Sequence, residues 1–318
     1  LTRGLSPLPV QVISTRCLRG ATLRVLVIIM NIGIVGLGLI GGSLGLDLLA
    51  STQDHNYLWG ISRNAATCKQ AEAIAAVNIA STNIADIPEH ILAKTEIVVI
   101  CTPIAAIVPT ISEIAPKLAA NLIFTDVGSV KAAIVEPASK ICQNFGQRFV
   151  GSHPMAGTAF QGLLAAERNL FQKRACVITH SDDLQAVEKV RSLWQSVGMD
   201  IYECSPEAHD RAVAMISHAP VIISANLIAA CQQENDPDVL KLAQKLASSG
   251  FRDTSRVGGG NPELGRLMAE YNQSAVLRSL YTYQQSLEKV IDLIENQQWA
   301  ELEAFLANTQ RDRPFYVE

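Results

Sequence analysis

The amino-acid sequence predicts a parallel α/β domain over residues 30–205, followed by an all-α domain over residues 206–318. Three observations predict this arrangement. Short apolar runs alternate with helix-compatible stretches through the first two thirds of the chain, the order typical of a parallel sheet with crossover helices. From Pro206 onward the strand pattern stops and long helical stretches follow. A frame of glycines, Gly36, Gly38 and Gly41, follows the first apolar run at 32–35.

The glycine frame indicates the type of α/β domain. In a dinucleotide-binding unit Gly36 allows the tight turn, Gly38 lets the backbone approach a pyrophosphate, and Gly41 lets helix and strand pack closely. The phosphates would lie at the helix N-terminus, where unpaired N–H groups and the helix dipole favour anions. The sequence therefore predicts an α/β Rossmann-type dinucleotide-binding domain. The alternative is a glycine-rich turn without a ligand.

The second predicted strand, at 57–61, ends in Ser62-Arg63-Asn64. Enzymes that use NAD usually carry an acidic residue at this place, to bind the ribose 2′-hydroxyl. A hydroxyl and a guanidinium can instead hold a 2′-phosphate through charge-assisted hydrogen bonds. The sequence therefore favours NADP over NAD, the alternative being a solvated surface arginine.

The remaining elements of the first domain follow in the same order. We expect helices at 65–80, 104–119, 131–145 and 183–197, with Pro109 arguing for a break early in the second of them. The apolar runs at 97–100, 122–125, 149–151, 174–179 and 200–204 complete a predicted sheet of about seven strands. Cys101-Thr102-Pro103 and the segment 126–131 follow two of these strands, at the edge where open α/β sheets bind ligands.

His153 is the candidate proton acceptor. It follows the fifth predicted strand, beside Pro154 and Gly157, and would share the crevice with Thr102 and Ser129. A neutral imidazole near its unperturbed pKa can accept a proton at physiological pH. The alternative is a structural histidine.

The all-α domain is predicted to contain helices at 206–232, 236–249, 261–296 and 297–308 and to serve dimerisation and substrate closure. His209 and His218 lie nine residues apart, so an unbroken helix would point them to opposite faces and they could not serve one site. Pro220 should kink the helix one turn back, beside His218. We therefore place His218, rather than His209, in the crevice, against the alternative of a core histidine.

A polar cluster at 251–256 lies between the predicted helices. Asp253 and Arg256 have the spacing of a helical ion pair. An arginine in a loop facing the crevice would match the geometry of a substrate carboxylate. The alternative is a surface ion pair.

Composition excludes several classes of partner and site. The net charge of −4 gives no basic surface for nucleic acid, and the seven cysteines are too far apart for a metal knuckle or a dense disulfide framework. We expect no metal and a cytoplasmic location.

The N-terminal region needs separate treatment. Residues 1–29 hold four arginines and no acid, and we expect them to be an extension outside the fold. The uncharged run between Arg24 and Asp47 is long enough for a membrane span, but its six glycines and the buried-strand pattern favour the nucleotide turn. No membrane attachment is expected.

Several segments together resemble one family. They are Gly-Leu-Gly-Leu-Ile-Gly-Gly-Ser-Leu at 36–44, Cys-Thr-Pro at 101–103, the segment 126–131, Gly-Ser-His-Pro-Met-Ala-Gly-Thr at 151–158, His209-Asp210, Ser217-His218 and Gly-Phe-Arg-Asp-Thr-Ser-Arg at 250–256. In this order, residues 30–308 resemble the prephenate/arogenate dehydrogenases of tyrosine biosynthesis, and are most similar to NADP-linked arogenate dehydrogenases.

The resemblance implies an oxidative decarboxylation in a homodimeric enzyme. Hydride leaves C4 of a cyclohexadiene for the nicotinamide while CO2 leaves C1. By analogy His153 takes the proton of the 4-hydroxyl and Ser129 orients that pair. Arg256 binds a substrate carboxylate, Asp253 holds Arg256, and His218 and Thr158 line the pocket. The implied cofactor-binding residues are Gly36, Gly38, Leu39, Ile40, Gly41, Ser62, Arg63, Cys101, Thr102 and Pro103.

Two positions depart from the family pattern. Ala159 stands where some prephenate-using members carry Glu, and Gly265 lies in a segment where many members carry Trp. The single-module form with Ser62-Arg63 favours arogenate over prephenate as substrate. Other open classes are a two-domain β-hydroxyacid dehydrogenase and a non-catalytic NADP-binding or membrane-tethered protein. The first usually needs a catalytic lysine, and residues 206–232 contain none.

Overall fold

The chain folds as two compact units, the first ending at Pro206 and the second beginning at Glu207. The computed structural model describes residues 31–51, 57–158 and 160–317. The predicted extension at 1–29 and the family departure at Ala159 lie outside these residues. The fold class expected from the sequence, a parallel α/β domain followed by an all-α domain, is confirmed.

The described part of the first unit alternates strands and helices. Its strands are β1 (Asn31–Val35), β2 (Tyr57–Ile61), β3 (Ile79–Ser81), β4 (Ile97–Ile100), β5 (Ile123–Asp126), β6 (Arg148–Val150), β7 (Ser152–Pro154), β8 (Ala175–Thr179) and β9 (Asp200–Cys204). Its helices are α1 (Leu39–Ser51), α2 (Ala65–Ala73), α3 (Glu89–Leu92), α4 (Ile104–Ile114), α5 (Ala132–Asn144) and α6 (Leu184–Ser196).

Six of these strands form a parallel sheet in the order β3-β2-β1-β4-β5-β6. The register pairs Val35 with both Ile61 and Ile100, and Ile100 with Asp126, so four adjacent strands end at one edge. Strand β1 lies in the middle and is buried after its first residue, as a strand covered on both faces should be. The glycine frame, Ser62-Arg63, Cys101-Thr102-Pro103 and Ser129 follow the strands that end at this edge, whereas His153 lies in β7 and Thr158 follows it.

The expected single sheet of about seven strands is wrong. After β6 the chain leaves the parallel sheet at Gly151, and β7 pairs antiparallel with β8, which pairs parallel with β9. A Cβ at Gly151 would lie 2.8 Å from Val135 Cγ2 and 2.9 Å from Thr179 Oγ1, so the chain passes too close to its neighbours for a larger residue. The three-stranded sheet therefore begins immediately before His153.

Two predicted helices of the first unit have different bounds. The helix expected at 65–80 ends at Ala73, because Ala75 has a φ of +55°, and the chain continues into β3. The break expected at Pro109 does not occur: α4 runs through it to Ile114 and tightens into a 3-10 turn at Ala115–Lys117.

The described part of the second unit is all helical. Its helices are α7 (Pro206–Val213), α8 (Ala219–Cys231), α9 (Pro237–Leu246), α10 (Ser249–Ser255), α11 (Pro262–Tyr271), α12 (Gln273–Glu295) and α13 (Trp299–Asp312). The cluster at 251–256, expected between helices, lies mostly within α10. The helix expected at 261–296 is interrupted at Asn272, whose φ of −126° and ψ of 35° are not helical.

A π-helical turn, Ala214–His218, joins α7 to α8. Its closing bond runs from the N–H of Ala219 to the carbonyl of Ala214, five residues back. Pro220 follows in the first turn of α8, where its missing N–H is tolerated. The interruption expected beside His218 is therefore confirmed. The premise of an unbroken helix between His209 and His218 does not hold.

Among the described residues, the helical run Pro206–Cys231 is the one whose length and apolar composition would suffice to cross a bilayer. Core helices of soluble proteins meet the same criterion. The described part of the uncharged run before Asp47 is not one helix, because it contains β1 and the start of α1.

Candidate active site

The glycine frame forms a tight turn between β1 and α1. Gly36 has a φ of +104°, and a Cβ there would lie 2.5 Å from the carbonyl oxygen of Cys101. A Cβ at Gly41 would lie 2.1 Å from the carbonyl oxygen of Gly36, so only glycine lets the helix approach the strand so closely. A Cβ at Gly38 would meet nothing within 4 Å. The turn thus has two crowded glycines and one that faces open space.

Ser62 and Arg63 lie beside this turn, at the end of β2. The Gly36 N–H donates to the carbonyl of Ile61 at 2.8 Å, which ties the glycine turn to the residue before Ser62. The side chain of Asn64 caps α2 by accepting from the N–H of Ala66 at 2.8 Å. Ser62 is half-buried and Arg63 is exposed. A hydroxyl and a guanidinium therefore flank the start of a helix, a suitable place for an anion.

Two hydroxyl groups at the same edge have no hydrogen-bond partner among the described residues. Thr102 Oγ1 and Ser129 Oγ are both buried atoms. Thr102 follows β4, one residue before Pro103 at the N-cap of α4, and Ser129 follows β5. Buried polar atoms are normally hydrogen-bonded, so unpartnered hydroxyls call for a specific explanation. A bound ligand or ordered water at this edge would supply the missing bonds.

A buried ion pair joins Asp126, the last residue of β5, to Lys131, just before α5. Lys131 Nζ contacts Asp126 Oδ2, and neither side chain has exposed surface. Lys131 Nζ also donates to the carbonyl of Ser152 at 2.9 Å. The Asp126 carboxylate accepts from the N–H of Gly128 at 2.9 Å and from the N–H of Ser152 at 3.2 Å. One carboxylate therefore holds the residue before Ser129 and the residue before His153.

The hydroxyl of Ser152 strengthens this junction. It donates to the carbonyl of Asp126 at 2.6 Å and accepts from Trp194 Nε1 at 2.9 Å. Thr125 Oγ1 lies 2.8 Å from the same oxygen. These bonds join β5, β7 and α6 in the protein interior. Fully satisfied buried networks of this kind hold the backbone in one conformation.

His153 lies in β7, opposite Val177 of β8, and is 8% exposed. Burial raises the pKa of the Cys101 and Cys176 thiols well above the usual range, which disfavours the thiolate form of both. Thr158 is exposed, and its Oγ1 accepts from the N–H of Phe160 at 3.2 Å. The chain therefore fixes His153 firmly and leaves Thr158 at the surface of the unit.

The second unit contains a buried polar cluster around His218. Asn272 Nδ2 lies 2.8 Å from the carbonyl oxygen of Asp210 and 3.2 Å from His218 Nδ1. His209 Nδ1 lies 2.7 Å from Asp210 Oδ1. The two histidines, which an unbroken helix would separate, thus belong to one cluster. A π-helical turn, Ala214–His218, lies between them.

The pairing expected between Asp253 and Arg256 is not the one in the structure. Asp253 Oδ1 lies 3.3 Å from Arg252 Nε, and both side chains are exposed. Arg256 is also exposed, at the C-terminal end of α10. Ion pairs on an exposed surface contribute little free energy, so small differences decide between neighbouring partners.

Three residues that support the site were not singled out from the sequence: Ser152, Trp194 and Asn272. The place of Ser152 directly before His153 was a usable signal. Trp194 and Asn272 act across 42 and 54 residues, and no local pattern indicates such contacts. Among the described residues, no group of three or more His, Cys, Asp or Glu side chains could hold a metal ion.

A glycine turn at the carboxyl edge of a parallel sheet, followed by a helical unit, is typical of a two-domain dinucleotide-binding protein. Residues 45–203 match the family model of the prephenate dehydrogenase nucleotide-binding domain, and residues 205–308 match that of the prephenate dehydrogenase dimerization domain. The chain therefore belongs to the prephenate dehydrogenase family and is an oxidoreductase. The family resemblance indicated by the sequence is confirmed.

Known relatives agree with this assignment. Prephenate dehydrogenase of Bacillus subtilis is 30% identical over 273 residues, covering 83% of this chain and 70% of the relative. The crystal structure of Synechocystis arogenate dehydrogenase is 49% identical with a TM-score of 0.79, covering 91% of this chain and all of that one. Aquifex aeolicus prephenate dehydrogenase, in complex with hydroxyphenyl propionate and NAD+, is 26% identical with a TM-score of 0.82, covering 89% of this chain and 97% of that one.

Proposed function

We propose that the chain catalyses the NADP-dependent oxidative decarboxylation of L-arogenate to L-tyrosine. The observation that carries the chemistry is the Asp126 carboxylate, which holds both Ser152, the residue before buried His153, and Gly128, the residue before Ser129 with its unpartnered hydroxyl. The choice of arogenate is supported by 49% identity to the Synechocystis enzyme along that protein's whole length. The alternative substrate is prephenate, on which the 30% identical Bacillus subtilis relative acts by its name.

In the proposed mechanism His153 accepts the proton of the substrate 4-hydroxyl. A neutral imidazole at a fixed position stabilises the carbonyl that forms at C4. Ser129 Oγ would donate to or accept from the same pair of groups and hold them in line, because it lacks another partner in the described chain. NADP, held by the glycine turn when bound, would supply the hydride acceptor. Loss of CO2 from C1 then leaves an aromatic ring.

The second unit would position the substrate. Arg256 is the proposed ligand of the substrate carboxylate. It is exposed, and a guanidinium can donate two parallel hydrogen bonds to the two oxygens of a carboxylate. Asp253 would orient Arg256 only if its contact with Arg252 is exchanged on binding. His218 and Thr158 complete the proposed substrate-binding set. Fixing the carboxylate that must leave as CO2 lowers the entropic cost of reaching the transition state.

The glycine turn fits a dinucleotide, and its neighbours favour NADP. The open space at Gly38 would admit the pyrophosphate, with the backbone of Leu39 and Ile40 at the start of α1. Ser62 and Arg63 would bind the 2′-phosphate, and Cys101, Thr102 and Pro103 would line the nicotinamide side. NAD is the alternative, since the Aquifex aeolicus relative was solved with NAD+.

We place the dinucleotide-binding domain at residues 30–205 and the helical dimerisation domain at 206–318. A homodimer is supported by the dimerization-domain match and by exposed apolar residues along α12, namely Leu277, Tyr281, Leu287, Ile291 and Ile294. The buried thiols of Cys68, Cys142 and Cys176 agree with a reducing cytoplasm.

The test is a matrix of two substrates against two cofactors. Arogenate and prephenate are each offered with NADP and with NAD, and nicotinamide reduction is followed by absorbance. We expect the highest kcat/KM for arogenate with NADP. Faster turnover of prephenate would reverse the substrate assignment, and no turnover of any pair would refute the dehydrogenase proposal.

A further inference from the structure

Asn272 occupies the junction between α11 and α12 and is 5% exposed. Its own N–H donates to the carbonyl of Met268 at 3.1 Å, and its carbonyl accepts from the N–H of Val276 at 3.0 Å. The backbone on both sides of the junction is therefore held by helical hydrogen bonds. The backbone of Asn272 is therefore fixed, and its side chain contacts Asp210 of α7 and His218 of the π-helical turn.

The contacts of Asn272 determine which way its amide group points. One atom of that group lies 2.8 Å from the carbonyl oxygen of Asp210. A backbone carbonyl can only accept, so the atom facing it must be the donor Nδ2. With the amide reversed, two oxygen acceptors would face each other in a buried place. The same Nδ2 lies 3.2 Å from His218 Nδ1.

The orientation of Asn272 in turn determines the tautomer of His218. Because Nδ2 can only donate, His218 Nδ1 must accept, and an imidazole nitrogen that accepts carries no proton. The proton of the neutral ring is then on Nε2. We propose that Asn272 is a positioning residue that holds His218 in the Nε2–H tautomer, so that His218 offers the substrate a hydrogen-bond donor. The substrate part of this proposal rests on the proposed function.

This tautomer selects the chemical class of the group that His218 binds. An Nε2–H donor pairs with an oxygen acceptor such as a carboxylate, and it has no lone pair to offer an ammonium group. The ring carboxylate is common to arogenate and prephenate, whereas the ammonium group is found in arogenate alone. His218 therefore binds a carboxylate oxygen and does not discriminate between the two substrates.

The π-helical turn contributes to this arrangement. Asp210 and His218 are eight residues apart, so a regular α-helix would place them about 80° apart around its axis. The turn Ala214–His218 shifts the register, so that the carbonyl of Asp210 and the ring of His218 face one amide. Wide turns of this kind are frequent at functional sites.

The first test reads the tautomer without any activity measurement. The intact protein is labelled with 15N-histidine, and long-range 1H–15N correlations report which ring nitrogen carries the proton. The signals of His218 are those absent from a His218→Gln variant. We expect a protonated Nε2 and an unprotonated Nδ1. A protonated Nδ1 on neutral His218 would overturn the proposal.

The second test removes the donor from Asn272. In Asn272→Ala the His218 ring loses its constraint, and we expect the Nδ1–H form to appear and the KM for substrate to rise about 10- to 100-fold, with a smaller change in kcat. The matched control is Asn296→Ala, because Asn296 also donates from Nδ2 to a backbone carbonyl at 2.8 Å, at the other end of α12. An unchanged tautomer and KM in a folded Asn272→Ala protein would refute the role of Asn272.

A pair of substitutions at position 218 tests the donor itself. Glutamine can place an amide donor near the position of Nε2, whereas asparagine can accept from Asn272 but is too short to replace Nε2. We expect His218→Gln to keep more substrate affinity than His218→Asn, with equal ratios for arogenate and prephenate. Equal loss in both variants would contradict a donor role. Absence of turnover in the unsubstituted protein would refute the proposed function and leave the tautomer result standing.

Discussion

Lys131 and Asp126 form an ion pair in which neither side chain has exposed surface. Each charge is also hydrogen-bonded to the backbone, the lysine to the carbonyl of Ser152 and the carboxylate to the N–H groups of Gly128 and Ser152. The pair thus connects the end of β5 to the start of β7. Ser129 follows β5 in the sequence, and His153 is the middle residue of β7. Buried charges are tolerated when their hydrogen-bonding capacity is satisfied in this way.

Lys131→Met should therefore destabilise the protein strongly. It leaves the Asp126 carboxylate buried without its counter-charge, and we expect the free energy of unfolding to fall by about 3–5 kcal/mol. Urea denaturation followed by circular dichroism measures this loss. The control is Lys189→Met, which breaks a partly exposed pair with Glu96 and should cost no more than about 1 kcal/mol. Equal losses of unfolding free energy in the two variants would show that the buried pair contributes no more to stability than an exposed one.

Alanine substitutions in the glycine turn should separate stability from cofactor binding. A Cβ at Gly41 would lie 2.1 Å from the Gly36 carbonyl oxygen, so Gly41→Ala should lower both the melting temperature and cofactor affinity. Gly38→Ala meets no protein atom within 4 Å, so it should keep the melting temperature and weaken NADP binding about tenfold or more. Calorimetry measures both quantities. Gly259→Ala, which is equally unobstructed but lies in the second unit, is the control. Unchanged NADP affinity in Gly38→Ala would contradict the proposed pyrophosphate site at Gly38.

These glycines illustrate what the sequence could predict. Local patterns predicted the turn, its flanking strand and helix, and the parallel sheet. The turn needs a glycine because Gly36 has a positive φ, and the buried strands of a parallel sheet are continuously apolar in sequence. The interruption of the helix beside His218 was predictable from Pro220, because proline has no N–H to donate to the preceding helical turn.

Other features depend on contacts that no local pattern reports. The division into two sheets at Gly151 depends on the pairing of β7 with β8, which is distant in sequence. The contact between Asn272 and His218 joins residues that four helices, α8 to α11, separate along the sequence. The partner of Asp253 was mispredicted because spacing cannot rank exposed ion pairs of nearly equal energy.

Stability should depend on pH through Asp47. Burial raises the pKa of this carboxyl above its ordinary value, against the opposing effects of the Asn169 N–H and nearby Arg168. Its Oδ1 accepts from Asn169 at 2.8 Å, and its buried Oδ2 has no hydrogen-bond partner in the described chain. The native state therefore binds this proton more tightly than the unfolded state. The contribution of Asp47 to stability falls as pH rises from its ordinary pKa through the raised one.

Asp47→Asn should remove that dependence, because an amide does not titrate in this range. We expect the stability of the variant relative to the unsubstituted protein to increase as pH is raised from about 4 to about 7. Urea denaturation at several pH values gives this difference. Asp182→Asn, at an exposed position, is the control. A difference between Asp47→Asn and the unsubstituted protein that does not vary with pH would contradict the assignment.

Arg63→Ala should weaken NADP binding much more than NAD binding. The guanidinium is proposed to contact the 2′-phosphate, which NAD lacks, and a charge-assisted hydrogen bond contributes about 1.5–3 kcal/mol, or about 10- to 100-fold in Kd. Fluorescence titration with each cofactor measures the two constants. The control is Lys69→Ala, which removes an exposed cation within α2 and should change the Kd of either cofactor little. Similar losses for NADP and NAD in Arg63→Ala would remove the argument for a phosphate site.

His153→Asn should abolish most of the turnover while sparing the cofactor site. Asparagine fits within β7 but has no group that accepts a proton near neutral pH, so we expect kcat to fall about 10²- to 10⁴-fold. The Kd for NADP should stay within about twofold, because in the proposed mechanism His153 contacts the substrate hydroxyl rather than the nucleotide. Steady-state kinetics and cofactor titration on the same preparation give both values. His180→Asn, which changes an exposed histidine just after β8, should leave both unchanged. Retention of full kcat in His153→Asn would show that another group accepts the proton.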